Sequence, residues 1–460
     1  MSRLPLDAET LYRRLPIGLQ QLACSAVGWR TERTRYGKGF PELLEDLSGR
    51  TYWSHDELTS FRDRRLRETL LYSQRWIPHY RDSWRMLGLD PGSVETSSDL
   101  EGLPLLTKMD AQEVGSRLWS TDDRLRTRIA HTSGTTGGAL RFPITLQSTQ
   151  AQWATWWRFR LWHGLERGTP CGLFAGRSVV PAEQQKPPFW RRNAPGRQVL
   201  FSGYHMSEAN LPQYVAALRR YQLPWLHGYP SHLAVLASFV LDHSVDLGYA
   251  PRWITTGAEN LMPQQAQLMA DAFGVRPVQH YGSAEAAANI SECELGALHV
   301  DEDFSCVEFM PTDAAGQYRI VGTSFVNLAT VFVRYETQDL ASVAIGASCA
   351  CGRRGRVVET VDGRLEDYVI LANGARIGRM DHVFKDMVNV REAQIRQRRP
   401  GALTVLVVPR SSYGAKDEHD LIREMRKRVG DETVVEIEYV SALQRSPVGK
   451  LRFVVSEMTN

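Results

Sequence analysis

The sequence contains few cysteines and has almost no net charge. Six cysteines among 460 residues are too sparse for a disulfide framework, so we expect a reduced, cytoplasmic protein. The 55 basic and 52 acidic residues nearly cancel and leave a formal charge of +3. This balance predicts neither nucleic acid nor an anionic membrane as a partner, and basic clusters such as residues 62–67 are expected to be solvated faces.

Long apolar runs are also absent. The longest, such as residues 233–241, are well short of the roughly 20 residues that span a bilayer. The opening residues, MSRLPLDAET, lack the charged and then apolar segments of a secretory signal. We therefore expect a chain without a membrane span.

Helical patterns dominate the first 125 residues. Charged and aromatic residues recur at helical spacing over residues 61–76 and 79–87, and LPLLTKMD at residues 103–110 is expected to lead in extended form into a further helix. From Thr127 onward, short apolar runs alternate with amphipathic segments. That alternation is typical of a parallel sheet covered by helices.

Several element ends are predicted within this alternating region. TRIAH and LRFPIT are expected to be strands that flank a loop, and RWITTGAEN and VRPVQH to contain two more strands that run into turns. Ser231 is predicted to cap an apolar helix that ends at Leu241, and Pro263 to open a helix that Gly274 closes.

The C-terminal region has a different pattern, which begins near Gly363. Its elements are predicted as strand, strand, helix and strand, at residues 390–397, 403–408, 421–429 and 434–440. We expect an α/β protein with a large multi-sheet N-terminal domain at residues 1–365. A small α+β C-terminal domain at residues 366–460 is expected to follow across a short hinge.

The stretch HTSGTTGG, at residues 131–138, combines three glycines with four hydroxyl side chains. Small side chains allow backbone N–H groups and hydroxyls to approach an anion, and phosphate is the expected ligand. The stretch is not a Walker loop, because no lysine follows and the next segment is predicted to be a strand. Alone, it is equally compatible with a plain hairpin connection.

Six motifs in a fixed order decide between these interpretations. The chain contains them in this order: TSGTTGG (132–138), TTGAENL (255–261), YGSAE (281–285), RYETQDL (334–340), GRLEDYVI (363–370) and RSPVGKLR (445–452). In this order the sequence resembles the adenylate-forming superfamily of acyl-CoA synthetases, adenylation domains and luciferases. Within it, LPLLTKMD and HGYPSHLAVLA (227–237) resemble the phenylacetate–CoA ligase branch, and most of all the capsular polysaccharide biosynthesis proteins similar to coenzyme F synthetases.

The resemblance implies a two-step, Mg²⁺-dependent reaction. A carboxylate attacks the α-phosphate of ATP to give an acyl-adenylate and pyrophosphate, and an acceptor then takes the acyl group. The small C-terminal domain is implied to be mobile and to rotate about the hinge between the two steps. The acceptor stays open among CoA, a carrier-protein thiol and an amine.

The resemblance also implies roles for individual residues. Lys450 is implied to be the catalytic cation between carboxylate and α-phosphate, with Thr136 and Glu285 assisting and Glu285 holding Mg²⁺. The same resemblance implies nucleotide-binding roles for three groups of residues. The phosphates are assigned to Thr132, Ser133, Gly134, Thr135 and Gly137, adenine to Tyr281 with Gly257, Ala258 and Glu259 on its other side, and ribose to Asp339 and Arg364. Gly282 and Ser283 are also implied to bind the nucleotide.

Three positions depart from the pattern of that superfamily. Glu366 occupies the hinge, where Asp or Lys is usual, and Gln338 stands where Gly is common. Ala284 stands where Thr is frequent, so one hydrogen-bond donor to phosphate is absent. Turnover is therefore expected to depend more on Lys450 and the glycine-rich loop. None of these departures removes an implied catalytic group.

Cys293, His299, Cys349 and Cys351 form a candidate zinc set. Three thiolates and one imidazole suit tetrahedral zinc, although Cys-x-Cys is tighter than the usual pair. Similar positions in phenylacetate–CoA ligase-like proteins imply a structural Zn²⁺, and the alternative is four unrelated reduced side chains. Cys306 is the reserve ligand. Cys24 and Cys171 are expected to be small buried apolar groups.

The identity of the acid is only partly constrained. Candidates to line its pocket are Trp153, Trp156, Trp157, Trp225 and Tyr229, and this aromatic richness favours an aryl or apolar acid. Two other functions stay open: a nucleotidyltransferase that places AMP on a substrate without a carboxylate, and a non-catalytic relative that binds nucleotide. A homodimer is a further expectation.

Overall fold

A computed structural model describes residues 8–460 except 132–139, 175–178, 260, 262, 313–315, 344–345, 362–368, 378–379, 385–386, 388, 410–411, 442, 444–453, 457 and 459–460. The α-helices are α1 (Ala8–Arg14), α2 (Ile17–Arg35), α3 (Phe40–Gly49), α4 (His55–Trp76), α5 (Pro78–Met86), α6 (Lys108–Val114), α7 (Leu146–Trp162), α8 (Leu211–Tyr221), α9 (Pro230–Asp242), α10 (Pro263–Phe273) and α11 (Ala415–Val429). Short 3-10 helices lie at Arg50–Tyr52, Pro91–Ser93, Ser97–Gly102, Gly115–Leu118 and Met380–Phe384. None of the described helices is both long and apolar enough to cross a bilayer.

The strands begin after the first six helices. They are β1 (Thr127–His131), β2 (Arg141–Thr145), β3 (Cys171–Phe174), β4 (Trp190–Asn193), β5 (Gln198–Phe201), β6 (Trp225–Gly228), β7 (Trp253–Thr256), β8 (Val278–Gly282), β9 (Asn289–Glu292), β10 (Leu298–Val300), β11 (Ser305–Pro311), β12 (Gln317–Ser324), β13 (Tyr335–Ser342), β14 (Val357–Val358), β15 (Thr360–Val361), β16 (Val369–Ile370), β17 (Arg376–Ile377), β18 (Val390–Arg399), β19 (Ala402–Pro409), β20 (Val434–Tyr439) and β21 (Val454–Ser456).

A nine-stranded sheet in the order β14-β10-β9-β8-β7-β6-β3-β5-β4 forms the centre of the large region. Its middle strands β5, β3, β6, β7 and β8 run parallel, and antiparallel strands continue it at both sides. A second, antiparallel sheet has the order β11-β12-β13-β15. Short strands followed by amphipathic helices produce the parallel part, because a parallel crossover needs a helix to return the chain.

The C-terminal region has a sheet and a core of its own. Strands β20, β19, β18 and β21 form a four-stranded sheet against helix α11. Its buried apolar cluster is built from residues 369–454, with Tyr204 of the large region packed at its margin. The Tyr204 hydroxyl donates to the Val429 carbonyl at 3.4 Å, and Gly430 leaves room for that hydroxyl because a Cβ there would lie 1.9 Å from it.

The predicted α/β class is confirmed, and most predicted elements are present with small changes of boundary. The strand expected at 390–397 extends to Arg399, and the helix expected at 421–429 begins already at Ala415. The prediction that Ser231 caps an apolar helix is wrong. The helix begins at Pro230 after Tyr229, with no side-chain cap, because proline has no N–H that needs a partner in the first turn.

A buried ion triad fixes helix α7 to the rest of the large region. Arg158, 3% exposed, donates to Asp301 and Asp303 at 2.7 Å each, and also to the Leu47 carbonyl at 3.2 Å. Burial opposes the charged form, but Asp303 and Asp301 outweigh it and raise the pKa of Arg158 above its ordinary value. The Arg158 guanidinium therefore stays charged inside the protein, whereas burial raises the pKa of Asp301.

Removal of the cation from this triad is expected to destabilise the large region. Arg158→Met removes the nearer cation from two buried carboxylates and leaves only Arg50, 3.7 Å from Asp303. We therefore expect a loss of about 3–5 kcal/mol in the free energy of unfolding. Urea titration followed by tryptophan fluorescence measures it. The control Arg85→Gln removes a cation that is 78% exposed beside Asp82 and should change stability by less than about 1 kcal/mol. Equal effects of the two variants would contradict the role given to the triad.

Candidate functional site

Two predicted nucleotide-binding motifs lie side by side at one edge of the large sheet. Strands β7 and β8 are parallel neighbours, with Thr255 opposite Val278 and Thr256 opposite Gln279. The turn that begins at Gly257 follows β7, and the YGSAE motif lies at the end of β8. Both motifs are therefore at the carboxyl ends of parallel strands, where α/β proteins bind ligands. A side chain at Gly257 would bring a Cβ within 3.1 Å of His280, so glycine keeps this turn against the sheet.

Tyr281 and Asp339 are directly hydrogen-bonded although 58 residues separate them. The Tyr281 hydroxyl donates to Oδ2 of Asp339 at 2.7 Å. Burial, and then the negative charge of Asp339, raise the pKa of Tyr281 well above its ordinary value, so the phenol keeps its proton and remains the donor. The structure thus brings together the residues that the resemblance assigns to adenine and to ribose.

Glu285, the implied Mg²⁺ ligand, lies close to the same pair. Its side chain is 9% exposed, and the hydroxyl of Tyr335 donates to its Oε1 at 3.2 Å. Tyr335 and Asp339 both belong to β13, so one strand contacts Glu285 and also reaches Tyr281. Carboxylate oxygen is the donor that Mg²⁺ prefers, and the chemistry of Glu285 fits that ion.

Helix α7 holds the YGSAE segment from the other side. Gln152 donates from Nε2 to the Ser283 carbonyl at 2.9 Å, and Trp156 donates from Nε1 to Asn289 at 2.9 Å. A Cβ at Gly282 would lie 3.3 Å from that indole nitrogen and 2.7 Å from the Asn289 side-chain oxygen. Gly282 is therefore needed for the close approach of helix and strand.

The backbone is left-handed at four non-glycine residues, three within these motifs and one directly after the YGSAE motif. Ala258 has φ 68°, Ala286 has φ 56°, Gln338 has φ 66° and Arg334 has φ 48°. Only three other described residues besides glycine share this conformation. Such conformations cost energy for L-residues and cluster at ligand sites. They also explain the departure at position 338, where glycine would adopt this φ without strain.

Several predicted site residues lie outside the described part of the chain. They are Thr132, Ser133, Gly134, Thr135, Thr136, Gly137, Arg364 and Lys450. The strands that flank the glycine-rich loop are described, and β1 pairs antiparallel with β2 so that His131 lies opposite Arg141. Glu259 is described in the turn after β7, and Glu366 is not described.

The four predicted zinc ligands form one cluster. The ligand atoms of Cys293, His299, Cys349 and Cys351 all lie within 4.8 Å of one another. His299 lies on β10, which pairs with β9 on one side and β14 on the other. Cys293 directly follows β9, and Cys349 and Cys351 precede β14. This arrangement closes a gap of 56 residues in sequence between Cys293 and Cys349.

Distances within the cluster fit tetrahedral zinc. The sulfurs of Cys293 and Cys349 are 3.8 Å apart, and Cys351 Sγ lies 3.3 Å from His299 Nε2. Zn–S bonds of about 2.3 Å and Zn–N bonds of about 2.0 Å give tetrahedral edges of roughly 3.5–3.8 Å. Nδ1 of His299 faces the Gly355 carbonyl at 3.2 Å, which leaves Nε2 free for a metal. Cys306 lies outside the cluster, in the apolar core.

A cavity of about 650 Å³ lies between α2, α7 and the large sheet. Three of the five predicted pocket aromatics line it, namely Trp153, Trp157 and Trp225. Trp156 and Tyr229 are not among its lining residues. Helix α2, Arg160 and His227 also line the cavity, and none of them is among the pocket residues that the sequence predicts. The signal was present, since Arg160 follows Trp153 and Trp157 at helical spacing.

Comparison with solved structures defines the class of fold. A 2-hydroxyisobutyryl-CoA ligase in the postadenylation state, in complex with R3-HIB-AMP, aligns over 89% of this chain and 91% of that one at 17% identity with a TM-score of 0.54. Its complex with 2-HIB-AMP and CoA in the thioesterification state covers 88% and 91% at 18% identity, with a TM-score of 0.55. The chain thus has the fold of the adenylate-forming CoA ligases, as its motifs predict.

A more specific similarity extends along the chain. Protein CapK of Staphylococcus aureus is 24% identical over an alignment of 461 positions, which covers 97% of this chain and 99% of that protein. The family model of the CapK C-terminal domain matches residues 369–457. Both similarities agree with the resemblance to capsular polysaccharide biosynthesis proteins.

The left-handed backbone at Gln338 leads to a prediction about stability. Gln338→Val places a β-branched residue in this conformation and should cost about 1–3 kcal/mol. Gln338→Gly should stay within about 1 kcal/mol of the wild type, because relief of strain offsets the greater chain entropy of glycine. Thermal unfolding of the two variants measures the difference, and a Val variant as stable as the Gly variant would contradict this backbone geometry.

Proposed function

We propose that this protein is an ATP- and Mg²⁺-dependent ligase that converts a carboxylic acid into an acyl-adenylate and releases pyrophosphate. The acyl group then passes to a thiol of CoA or a carrier protein, or to an amine. The observation that carries the proposal is the convergence of Tyr281, Glu285 and Asp339, joined through the 2.7 Å bond and the contact with Tyr335. A hydroxyl, two carboxylates and a glycine turn at one sheet edge suit a nucleotide.

In this proposal each residue acts on a different part of ATP. Asp339 accepts hydrogen bonds from the ribose hydroxyls, because an ionised carboxylate can accept from both. Tyr281 stacks on adenine opposite the turn of Gly257, Ala258 and Glu259. The glycine-rich loop donates to the departing phosphates. Glu285 would hold Mg²⁺, which would neutralise part of the phosphate charge.

Lys450 is proposed to deliver the positive charge that the reaction needs. Two anions, the carboxylate and the α-phosphate, must meet in line, and a cation between them lowers the barrier as charge builds on phosphorus. We propose that residues 366–460 carry Lys450 as a mobile unit, with its boundary at 365/366. The separate apolar core of residues 369–454 supports this division.

The proposed substrate is an aryl or apolar acid, as in a phenylacetate–CoA ligase-like enzyme. Support comes from the three tryptophans that line the cavity beside α7. The similar ligase structures contain acyl-AMP and CoA, which agrees with an acid and a thiol as partners. The sparse cysteines favour a cytoplasmic enzyme.

A structural Zn²⁺ is proposed at Cys293, His299, Cys349 and Cys351. It would tie the loop after β9 to the loop before β14, at the edge of the large sheet. Four protein ligands would leave no open position, which is typical of structural and not of catalytic zinc.

Pyrophosphate release from Mg-ATP across a panel of aryl, fatty and amino acids tests the ligase. Release should require an acid. Lys450→Ala should lower the rate by about 100-fold or more while ATP binding persists, since its charge acts mainly in the transition state. Asp339→Asn should weaken ATP binding by about 10-fold or more through loss of a charged hydrogen-bond acceptor.

The matched control for these variants is Lys416→Ala, which removes an exposed lysine of α11 in the same small region. It should leave the rate unchanged. Pyrophosphate release that needs no acid would support AMP transfer to another substrate. ATP binding without any release would support a non-catalytic relative.

Metal analysis of the purified protein tests the zinc proposal independently of activity. We expect about one zinc per chain, lost in Cys351→Ser and in His299→Asn, because each removes one of four ligands. Cys306→Ala is the matched control, since this buried thiol lies outside the cluster and burial raises its pKa to about 12. A zinc content that Cys306→Ala lowers and Cys351→Ser leaves intact would contradict the assignment.

A further inference from the structure

The cavity beside α7 has a strongly positive lining. Among its lining residues are four arginines, Arg35, Arg160, Arg167 and Arg197, and a single acidic residue, Glu32. Glu32 already faces Arg167, at 3.5 Å. The cavity thus combines apolar indole walls with an excess of positive charge. An apolar acid alone accounts for the walls and leaves the charge unexplained.

Arg160 is the buried member of this set, only 2% exposed. Its one hydrogen bond in the described chain runs from Nη1 to the Trp156 carbonyl at 3.3 Å, and its Nε has no acceptor. A guanidinium carries five N–H donors and keeps its charge in proteins. Buried charges are normally paired, yet no anion among the described residues pairs with this group.

Arg158, one half-turn earlier in the same helix, provides the comparison. It is equally buried, and Asp301 and Asp303 pair with it at 2.7 Å each. Arg160 instead lies over the faces of three indole rings, whose centroids are 5.0–5.9 Å from its guanidinium carbon. Indole faces attract a cation but accept no hydrogen bonds in the guanidinium plane. The missing in-plane acceptors must come from the cavity.

His227 links this cavity to the nucleotide edge of the sheet. Its Nδ1 donates to the Thr255 carbonyl at 2.9 Å, and burial followed by the charge of Arg160 lowers its pKa to about 3. The ring is therefore neutral and leaves Nε2 as an acceptor on the cavity wall. Gly257 lies two residues beyond Thr255, about 7 Å along the strand.

We propose that the acid activated by this protein carries a second oxyanion, a carboxylate or a phosphate, which Arg160 binds inside the cavity. This inference rests on the proposed function. The flat body of the acid would lie among Trp153, Trp157 and Trp225, with its reacting carboxylate toward the turn at Gly257. A planar guanidinium binds such an oxyanion through two parallel hydrogen bonds. The volume of about 650 Å³ is that of a site for a drug-sized ligand and exceeds the needs of a short acid.

Binding of matched acids, measured by calorimetry and tryptophan fluorescence without ATP, tests the inference. The probes are benzoate and phenylacetate against isophthalate, terephthalate, 4-carboxyphenylacetate and 4-carboxyphenyl phosphate. At least one dianionic probe should bind about 10-fold or more tightly than its monoanionic partner. The carboxylate and phosphate probes show which oxyanion is preferred. No advantage for any dianion would overturn the inference.

Variants of Arg160 assign the effect to that side chain. Arg160→Gln should remove the advantage of the dianion, whereas Arg160→Lys, which keeps the charge, should retain part of it. Arg219→Gln, an exposed arginine that bonds the Asp246 carbonyl, should match the wild type. An advantage that survives in folded Arg160→Gln would overturn the inference, and the wild-type comparison decides the matter if that variant does not fold.

Pyrophosphate release separates this inference from the proposed function. If monoanionic acids trigger release and no dianion binds more tightly, the ligase stands and the second oxyanion is wrong. If dianions bind through Arg160 and no acid triggers release, the cavity assignment stands and the ligase is wrong.

Discussion

The buried contact of Arg158 with Asp301 and Asp303 is the interaction on which the arrangement of the site depends. It ties helix α7 to the loop between β10 and β11, and α7 contacts both the YGSAE segment and the cavity. Its Gln152 and Trp156 hold the YGSAE segment, while its Trp153, Trp157 and Arg160 line the cavity. A helix that slid by one turn, about 5.4 Å, would displace both surfaces together.

Two arginines of α7 have opposite roles for one physical reason. A guanidinium cannot give up its charge, so the interior must supply an anion or lose stability. Arg158 receives its anions from the protein and becomes part of the scaffold. Arg160 receives none from the described residues and faces a cavity instead. On our proposal the second oxyanion of the acid pairs with Arg160, so the charge of this buried arginine selects the acid.

Motif order allowed much of this protein to be predicted from its sequence. The glycine-rich loop alone left two interpretations open, and six motifs in order predicted the class of fold that the structural comparison bears out. The four zinc candidates also came together, although Cys-x-Cys spacing alone could not show that β10 lies between β9 and β14. Such strand neighbours depend on long-range pairing, which local patterns do not encode.

Other features depended on three-dimensional packing and were not predicted. Ser231 suited a helix cap, but Pro230 already began the helix. Helix α2 lies far in sequence from the motifs, so nothing local indicated that it closes the cavity. No sequence pattern distinguishes Arg160 from a solvated helical arginine, and only the packing shows that none of the described carboxylates pairs with it. The departure at Gln338 gained its meaning from a φ of 66°, since only the backbone shows why glycine is common there.

The most direct measurement follows an oxygen atom. Wild-type protein is incubated with Mg-ATP, hydroxylamine as acceptor and an acid whose carboxylate is labelled with ¹⁸O, and the AMP is analysed by mass spectrometry. Attack of the carboxylate on the α-phosphorus, followed by transfer of the acyl group, leaves one labelled oxygen on AMP. Our proposal predicts singly labelled AMP in an amount equal to the acyl product. Unlabelled AMP, or ATP that binds without any turnover across the acid panel, would contradict it.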